Sequence, residues 1–450
     1  MDVRFVRPSL QPAPFDVRQF RSSDLPGDLS PDEALSESWA YSTYSSVLSA
    51  LAGKKPVTEL PYLKTFLGDI TPDEDHGSLL QRLLGEVFLP NVLYGYLDRR
   101  FELTLQTSLA TGIVQHWIAG MLGQSALIAY RRTGEQRFMD LYMSFMNRVL
   151  LLRDSQLGYF DDYHGKTMDA WGDYATGRRA DGLTMWIADV TEFSVIMGPA
   201  LGFAREILQS RGLVPHQDWA EDMVAFFDRG FRQFEVDLRR PKGASDMWYW
   251  RPLWNMFEPT NHIHIVGQAL LDMHAVTRDR FYADRIRAII RVFEKGARVD
   301  ADGLAFWNYS PYFQVESAKE IGRNRHVSEH SMKGDHTVPF LYCAAADGFP
   351  VDPELMKAVT ASIRDYILAD GIYKLNTHPH NSRPLKKSDI EKTGRRGFGV
   401  AGYHHAARVE PDIERLIIDV VVKNVDVFPW GWFGNPKLAR SYAFMLQDTR

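Results

Sequence analysis

A single cysteine, Cys343, in a chain of 450 residues excludes an intramolecular disulfide and any zinc site built on thiolates. It lies in the apolar run from Phe340 to Ala346 and reads as a small buried hydrophobe. No apolar run reaches the roughly 18 residues that a membrane-spanning helix needs. Positive charge is not in excess either. The 52 Lys and Arg face 57 Asp and Glu, a net charge of −5, which argues against nucleic acid as the main partner because a phosphate-binding face needs a surplus of cations. A local basic cleft remains compatible with this total, since Lys242, Arg251, Arg323, Arg325, Lys333 and Arg408 fall near aromatic and His-rich segments. The N-terminus, MDVRFVRPSLQPAPF, has no apolar core of a signal peptide. The expected location is therefore cytoplasmic, or periplasmic or secreted if a leader has been removed.

Strand signals are also sparse. Helical periodicity is abundant, with apolar residues at i, i+3, i+4 and i+7. It predicts helices over Glu33–Ala52, Leu79–Arg99, Leu103–Arg132, Gln136–Arg153, Leu183–Gln209, Asp218–Glu235, Asn261–Val276, Phe281–Lys295, Ser328–Ala346, Pro353–Leu368 and Arg408–Lys423. The Pro-rich residues 1–32 read as an extended arm, and 33–450 as a single all-α domain. A weak internal repeat runs through it: Ala129 to Glu135, then Phe138 and Asp140, matches Ala275 to Asp279, then Tyr282 and Asp284. Both are helical hairpins turning at a Thr followed two residues later by an acid, and repeated hairpins need neighbours to bury their apolar faces.

Residues 248–264 concentrate five aromatics, Trp248, Tyr249, Trp250, Trp254 and Phe257, just before Glu258, Asn261, His262 and His264. Flat rings stack on sugars, so the stretch reads as a cleft wall, with Arg251 beside it and polar groups at its floor. Asn261 would cap the helix that follows, whose N-terminus offers positive potential to an anion. His262 and His264 are two apart and cannot share a helix face, so one belongs to the site and the other to packing.

A second segment, Phe306-Trp307-Asn308-Tyr309-Ser310-Pro311-Tyr312, places Tyr309 first and Tyr312 second as proton-transfer groups. A nearby cation would lower the phenol from its usual value near 10. A third places His326, His330 and Lys333 on one helical face, with Glu329 and His336 close by, for carboxylate binding and proton transfer. Histidines at i and i+4 also leave a metal open. Tyr403-His404-His405 with Arg408, followed by Trp430 and Trp432, offers a guanidinium for a carboxylate and a further sugar platform, or the packing of a terminal hairpin. Asp161 and Asp162, with Tyr163 and His164, offer paired acids or a cation site.

Over roughly residues 100–440 the hairpins, the loop with Asp302, Gly303, Trp307 and Tyr309, and the Asn261-His262 helix start resemble the (α/α) toroid carbohydrate-active enzymes. The likeness is greatest to polysaccharide lyases and uronyl C5-epimerase-type proteins. Where related sequences often carry an acid–acid–x–Ser–His run, this chain has Glu329-His330-Ser331-Met332-Lys333, with Lys in the place of His. The resemblance implies an incomplete barrel of six or seven hairpins and β-elimination on a uronic-acid polysaccharide. Tyr309 would act as base and acid, assisted by Asn261, His262, His330 and His336. The polymer would be bound by Trp248, Trp250, Arg251, Trp254, Glu258, Trp307, Tyr312, Lys333, Arg408 and Trp430. No cofactor is expected, with a structural divalent cation left open. The expected partner is an acidic polysaccharide or oligosaccharide, with no nucleic acid and no membrane, and the oligomeric state is left open. The alternatives are a toroid hydrolase using Glu258, Asp162 or Glu329, a C5-epimerase, and a non-catalytic glycan-binding protein.

Overall fold

The computed structural model describes residues 90–174, 185–241, 246–252, 256–313, 328–374, 400–423, and 377, 384, 386 and 440. The expected arm, the helix Glu33–Ala52, Trp254, His326, Trp430 and Trp432 lie outside the described residues. The described chain is mostly helical, as the periodicity predicts. Its helices are α1 (Pro90–Thr111), α2 (His116–Thr133), α3 (Gln136–Leu150), α4 (Val190–Gln209), α5 (Gln217–Arg232), α6 (Thr260–Thr277), α7 (Arg280–Gly296), α8 (Ser331–Ala346), α9 (Pro353–Ser362) and α10 (Asp412–Lys423). A 3-10 helix, Ala401–Arg408, precedes α10.

Two kinds of helix alternate. α3 buries one stripe, Phe138, Met139, Tyr142, Phe145, Met146 and Val149, and α7 buries Tyr282, Ile286, Ile289, Ile290 and Phe293 in the same way. One-sided burial marks a helix with its other face to water. By contrast α4 is buried along almost its whole length on every side, including Glu192, Thr191 and Ser194, and the first half of α6 likewise. The enclosed helices form a central row: α4 packs on α2 and α6, α6 on α8, and α8 on Ala401–Arg408. The one-sided helices flank that row, α3 on α2, α5 on α4 and α7 on α6. Gly120 makes one of these approaches close, because a Cβ there would meet the Val195 backbone.

The repeated hairpin turn is real in atomic detail. Thr133 Oγ1 donates to Ala129 O at 2.8 Å and accepts from the Glu135 N–H at 3.2 Å; Thr277 Oγ1 donates to Met273 O at 2.8 Å and accepts from the Asp279 N–H at 3.2 Å. The residue between is left-handed in both, Gly134 at φ 71° and Arg278 at φ 57°. Two residues join each pair of helices, so the partners run antiparallel. The expected Leu103–Arg132 helix is instead two. Gly112, at φ 67° with its N–H on Ser108 O, ends α1, as a left-handed glycine commonly does, and α2 starts afresh at His116.

Trp248–Arg251 and Met256–Phe257 belong to a small antiparallel sheet, β1 (Leu238–Arg239), β2 (Trp248–Arg251) and β3 (Met256–Phe257), with Leu238 opposite Tyr249 and Trp250 opposite Phe257. Two of the rings expected to wall a cleft serve folding instead. Trp248 and Tyr249 are buried, Trp248 edge-on to Phe313 with its Nε1–H on Glu258 O at 2.8 Å. A second hairpin, β4 (Arg298–Val299) and β5 (Ala305–Phe306), turns through Gly303 at φ 79°, where Asp300 Oδ1 accepts the Asp302 and Leu304 N–H groups.

Candidate functional site

The first turns of α2, α4 and α6 converge on Arg251, which β2 carries into the interior with 1% of its surface exposed. Its Nη2 lies 2.8 Å from Asp189 Oδ2 and 3.1 Å from Glu192 Oε1; its Nη1 lies 2.8 Å from His262 Nδ1 and 3.8 Å from Glu258 Oε2. Burial works against the guanidinium charge, but Asp189, Glu258 and Glu192 more than hold it protonated. Asp189 is also the N-cap of α4, its other oxygen accepting the Glu192 N–H at 2.8 Å. Burial first, and then the Asp189 charge, pushes Glu192 well above the usual carboxylate range. Burial raises Glu258 too, against the pull of Arg251. His116 opens α2 and donates from Nε2 to Trp171 O at 3.2 Å, with Nδ1 3.6 Å from Glu192 Oε2; burial lowers its pKa and keeps it neutral.

A second group abuts the first. The Thr260 N–H donates to Tyr309 O at 2.8 Å and Thr260 Oγ1 to Asn308 O at 3.1 Å, so the Tyr309 loop is fastened to the start of α6. Tyr309 is half-buried, and Lys333 Nζ, from the first turn of α8, stands 3.7 Å from the centre of its ring. Tyr309 is also close enough to Arg251 to act on its ionisation. Behind them Glu329 is fully buried. It accepts from Trp307 Nε1 and from Thr337 Oγ1 at 2.6 Å, and from the Asn261 backbone N–H. Burial pushes it up to about 7, with Thr337, Trp307 and the Lys333 charge pulling the other way.

The structure therefore brings together Arg251, Glu258, Asn261 and His262 with Tyr309 and Lys333, and links His336 to them through Trp117. The indole of Trp117 lies 5.3 Å from the His262 ring and 5.8 Å from the His336 ring. The Asn261 side chain is 3% exposed, and its Oδ1 makes no hydrogen bond among the described residues. Asn261 is not the cap of α6, because Pro259 holds that position and the helix starts at Thr260. Of the two adjacent histidines, His264 is the packing residue. It sits between Phe293 and Phe340, with Nδ1 on Thr337 O at 2.9 Å, and burial lowers it to about 4.

Other expected site residues stand elsewhere or do other work. Trp248 and Trp307 are buried packing rings, not exposed platforms. Trp250 is half-buried, edge-on to Phe257 with Arg239 over its face, and Tyr312 is half-buried near Lys295. His330 precedes α8 as its side-chain cap, accepting the Met332 N–H at 3.3 Å, so it does not share a helix face with Lys333. Arg408 is exposed, and its charge acts on Cys343, His404 and His405 at the opposite end of α8. His404 and His405 are held neutral by burial, His404 at about 4, and His405 Nδ1 lies 3.5 Å from Cys343 Sγ, which is the packing alternative for that segment. Asp161 and Asp162 hold a loop. Asp161 accepts the Tyr163, His164 and Ala188 N–H groups, and Asp162 accepts that of Trp186.

Sequence reasoning missed Asp189, Glu192, His116, Trp117 and Arg440. Asp189 followed three residues on by Glu192, ahead of an apolar run, resembles a capping signature and could have been found. His116 and Trp117 were hidden by running two helices into one across Gly112. Nothing local marks Arg440, whose neighbours come from α2 and α8.

Among the described residues no three His, Cys, Asp or Glu side chains gather as a metal would require, and no helix is long and apolar enough to cross a membrane. A groove of about 650 Å³ lies at the other end of the central row, against Leu208, Met273 and Val276. Of its acids, Asp228 is bonded to Tyr282 and Arg232, and the groove holds none of the groups gathered around Arg251 and Tyr309. No family model matches the chain, and no curated protein is significantly similar to it.

Proposed function

We propose that the helices form an (α/α) toroid and that the protein is a polysaccharide lyase cleaving a uronic-acid polymer by β-elimination. The alternation of enclosed and one-sided helices supports the architecture, as does the meeting of the N-terminal turns of the enclosed helices at one place. The observation that carries the activity is Tyr309, reachable, set against the Lys333 ammonium at 3.7 Å and tied by its backbone to the turn that bears Asn261 and His262. In this reading Asn261 and His262, backed by Arg251, neutralise the uronate carboxylate. That stabilises the negative charge that develops when the adjacent carbon loses its proton. Tyr309 takes that proton and returns one to the departing glycosidic oxygen.

Hydrolysis by paired carboxyls is less well supported. Glu258 and Glu329 are both 0% exposed, and Asp162 is engaged with the Trp186 N–H. Epimerisation would use the same residues without cleavage. The test is a panel of uronate polymers followed by ultraviolet absorbance and reducing ends together. A lyase gives both signals; a hydrolase gives reducing ends alone; an epimerase incorporates solvent deuterium with unchanged chain length. Tyr309→Phe lowers the rate at least about a hundredfold while leaving the fold intact. A panel with no chromophore from any polymer defeats the reading.

A further inference from the structure

The described tryptophans divide by what their indole N–H does. Those of Trp171, Trp186, Trp219, Trp248 and Trp307 each donate to a carbonyl, amide or carboxylate oxygen of the protein. An indole enclosed by protein normally finds such a partner, and its ring is then committed to the fold. Trp117 and Trp250 have none among the described residues, and neither N–H is sealed from solvent. Trp250 is nonetheless occupied, because the Arg239 guanidinium stands 4.7 Å from its ring centre and Phe257 meets it edge-on. Trp117 is left. It stands half-buried on the first turn of α2, 5.3 Å from the His262 ring of α6 and 5.8 Å from the His336 ring of α8. In the enclosed row α4 and α6 separate α2 from α8, so contacts with both α6 and α8 place the indole on the inner side of the row's bend. The two imidazoles are inclined to it by 50° and 61°, so neither lies flat on it, and no cation stands over it among the described residues. Tyr309 is held by the same two helices. Thr260 fastens its loop to α6 two residues before His262, and Lys333 meets its ring three residues before His336 on α8. Residues three apart are neighbours on one helix face, so Trp117 and Tyr309 meet adjacent positions of α8.

We propose that Trp117 is the sugar platform of the site: the apolar face of one pyranose ring of an acidic oligosaccharide packs on the indole, and an oxygen of that oligosaccharide accepts its Nε1–H. The acidity of the ligand rests on the lyase reading; the platform does not. A tryptophan suits the role because its ring offers a broad apolar surface while its N–H keeps a polar need that water or a ligand must meet. Trp248 and Trp307, the rings first expected to serve, are committed to the core. The platform also fixes the register of the polymer. A sugar seated on Trp117 has its neighbour toward Tyr309 and Lys333, so binding at one residue places the next for proton transfer.

The test is nitrogen NMR of the full chain labelled at its tryptophans, with Trp117→Phe to assign the signal. In the free protein the Trp117 Nε1–H exchanges with solvent at least about tenfold faster than that of Trp171 or Trp248. Sodium trigalacturonate, sodium trimannuronate or a hyaluronan tetrasaccharide moves the Trp117 signal, and maltotriose at the same concentration does not. Trp117→Leu weakens binding of the oligosaccharide that moves it by about tenfold or more, and Trp117→Phe, which keeps a ring and loses the N–H, weakens it less. If Trp117→Leu does not fold, the wild-type exchange and titration together with Trp117→Phe decide alone. An N–H as protected as that of Trp248 overturns the proposal, as does a Trp117 signal that none of the three acidic oligosaccharides moves. The chromophore assay keeps the two readings apart. A Trp117 signal that titrates with an acidic oligosaccharide, with no chromophore from any polymer, sinks the lyase and spares the platform. A chromophore whose KM is the same in the wild type and in Trp117→Leu does the reverse.

Discussion

Replacing His164 should remove a defined, pH-dependent part of the stability. Its ring is clamped between two carboxylates, Nδ1 2.9 Å from Asp161 Oδ2 and Nε2 2.9 Å from Asp237 Oδ2, with all three side chains at 2% exposure or less. Burial disfavours the charged ring, but the two carboxylates overcome it and raise the pKa to about 9. Against an unfolded value near 6.5, that shift corresponds to about 3 kcal/mol. The pKa is raised in the folded state, so the contribution is complete below about pH 6.5 and is lost as the pH climbs through about 9. The loss matters because the clamp joins the 161–166 loop to the segment entering β1, whose Asp237 also acts on the ionisation of Glu258. Denaturant unfolding of the wild type, followed at pH 6 and again near pH 9.5, should show a fall to which His164 contributes about 3 kcal/mol. His164→Gln should be less stable at pH 6 by a similar or larger amount, because Asp237 is left buried without its cation, and its stability should fall across that interval by about 3 kcal/mol less than the wild type's. If His164→Gln keeps the wild-type slope, the imidazolium is not the group that titrates and the assignment is wrong.

Arg278 adopts the left-handed conformation that Gly134 occupies in the sister turn, so Arg278→Gly should raise stability by about 1 kcal/mol, read as a higher melting temperature. Glu329, raised to about 7 from 4.5, destabilises the fold as pH rises through that window. Glu329→Gln should therefore be more stable above pH 7 by up to about 3 kcal/mol and little changed at pH 4, as measured by unfolding at the two pH values. Lys333→Gln should weaken binding of an anionic oligouronate and flatten its dependence on salt; affinity that is indifferent to salt in the wild type would count against an electrostatic role for Lys333.

The helices were legible in the sequence because their burial is periodic; α3, α6 and α7 begin and end within a few residues of their expected bounds. The break at Gly112 was not, since apolar spacing continues across it and only the left-handed glycine marks the stop. The aromatic stretch misled for a related reason. Composition reveals that rings must be buried, but not whether a sugar or the protein's own sheet buries them, and Trp248 and Tyr249 went to the sheet. The site was half legible. Glu258, Asn261 and His262 sit at or just before the start of α6 and Tyr309 in an aromatic-rich loop, all with clear sequence marks, and Asp189 with Glu192 carries a capping signature, whereas Arg440 joins the group through tertiary contacts that no local pattern records.

The ionisation of the buried acids bears on whether an anionic polymer could approach at all. Counted by residue type, the region around Arg251 looks hostile to an anion, with Asp189, Glu192 and Glu258 against one guanidinium. Burial changes that sum. Glu192 and Glu258 are pushed toward their neutral forms, Asp189 is matched by Arg251, and Asp335 by Arg440. Among the described residues Lys333, half-buried at Tyr309, adds a positive charge beside this group, together with the positive ends of α4, α6 and α8, each equivalent to roughly half a unit charge. A net charge of −5 therefore does not by itself decide whether an anion can approach this group, because burial shifts the ionisation of its acids. The burial that raises Glu258 and Glu192 also withdraws them from solvent, which is why the proposed lyase reading assigns proton transfer to Tyr309 and not to a pair of carboxyls.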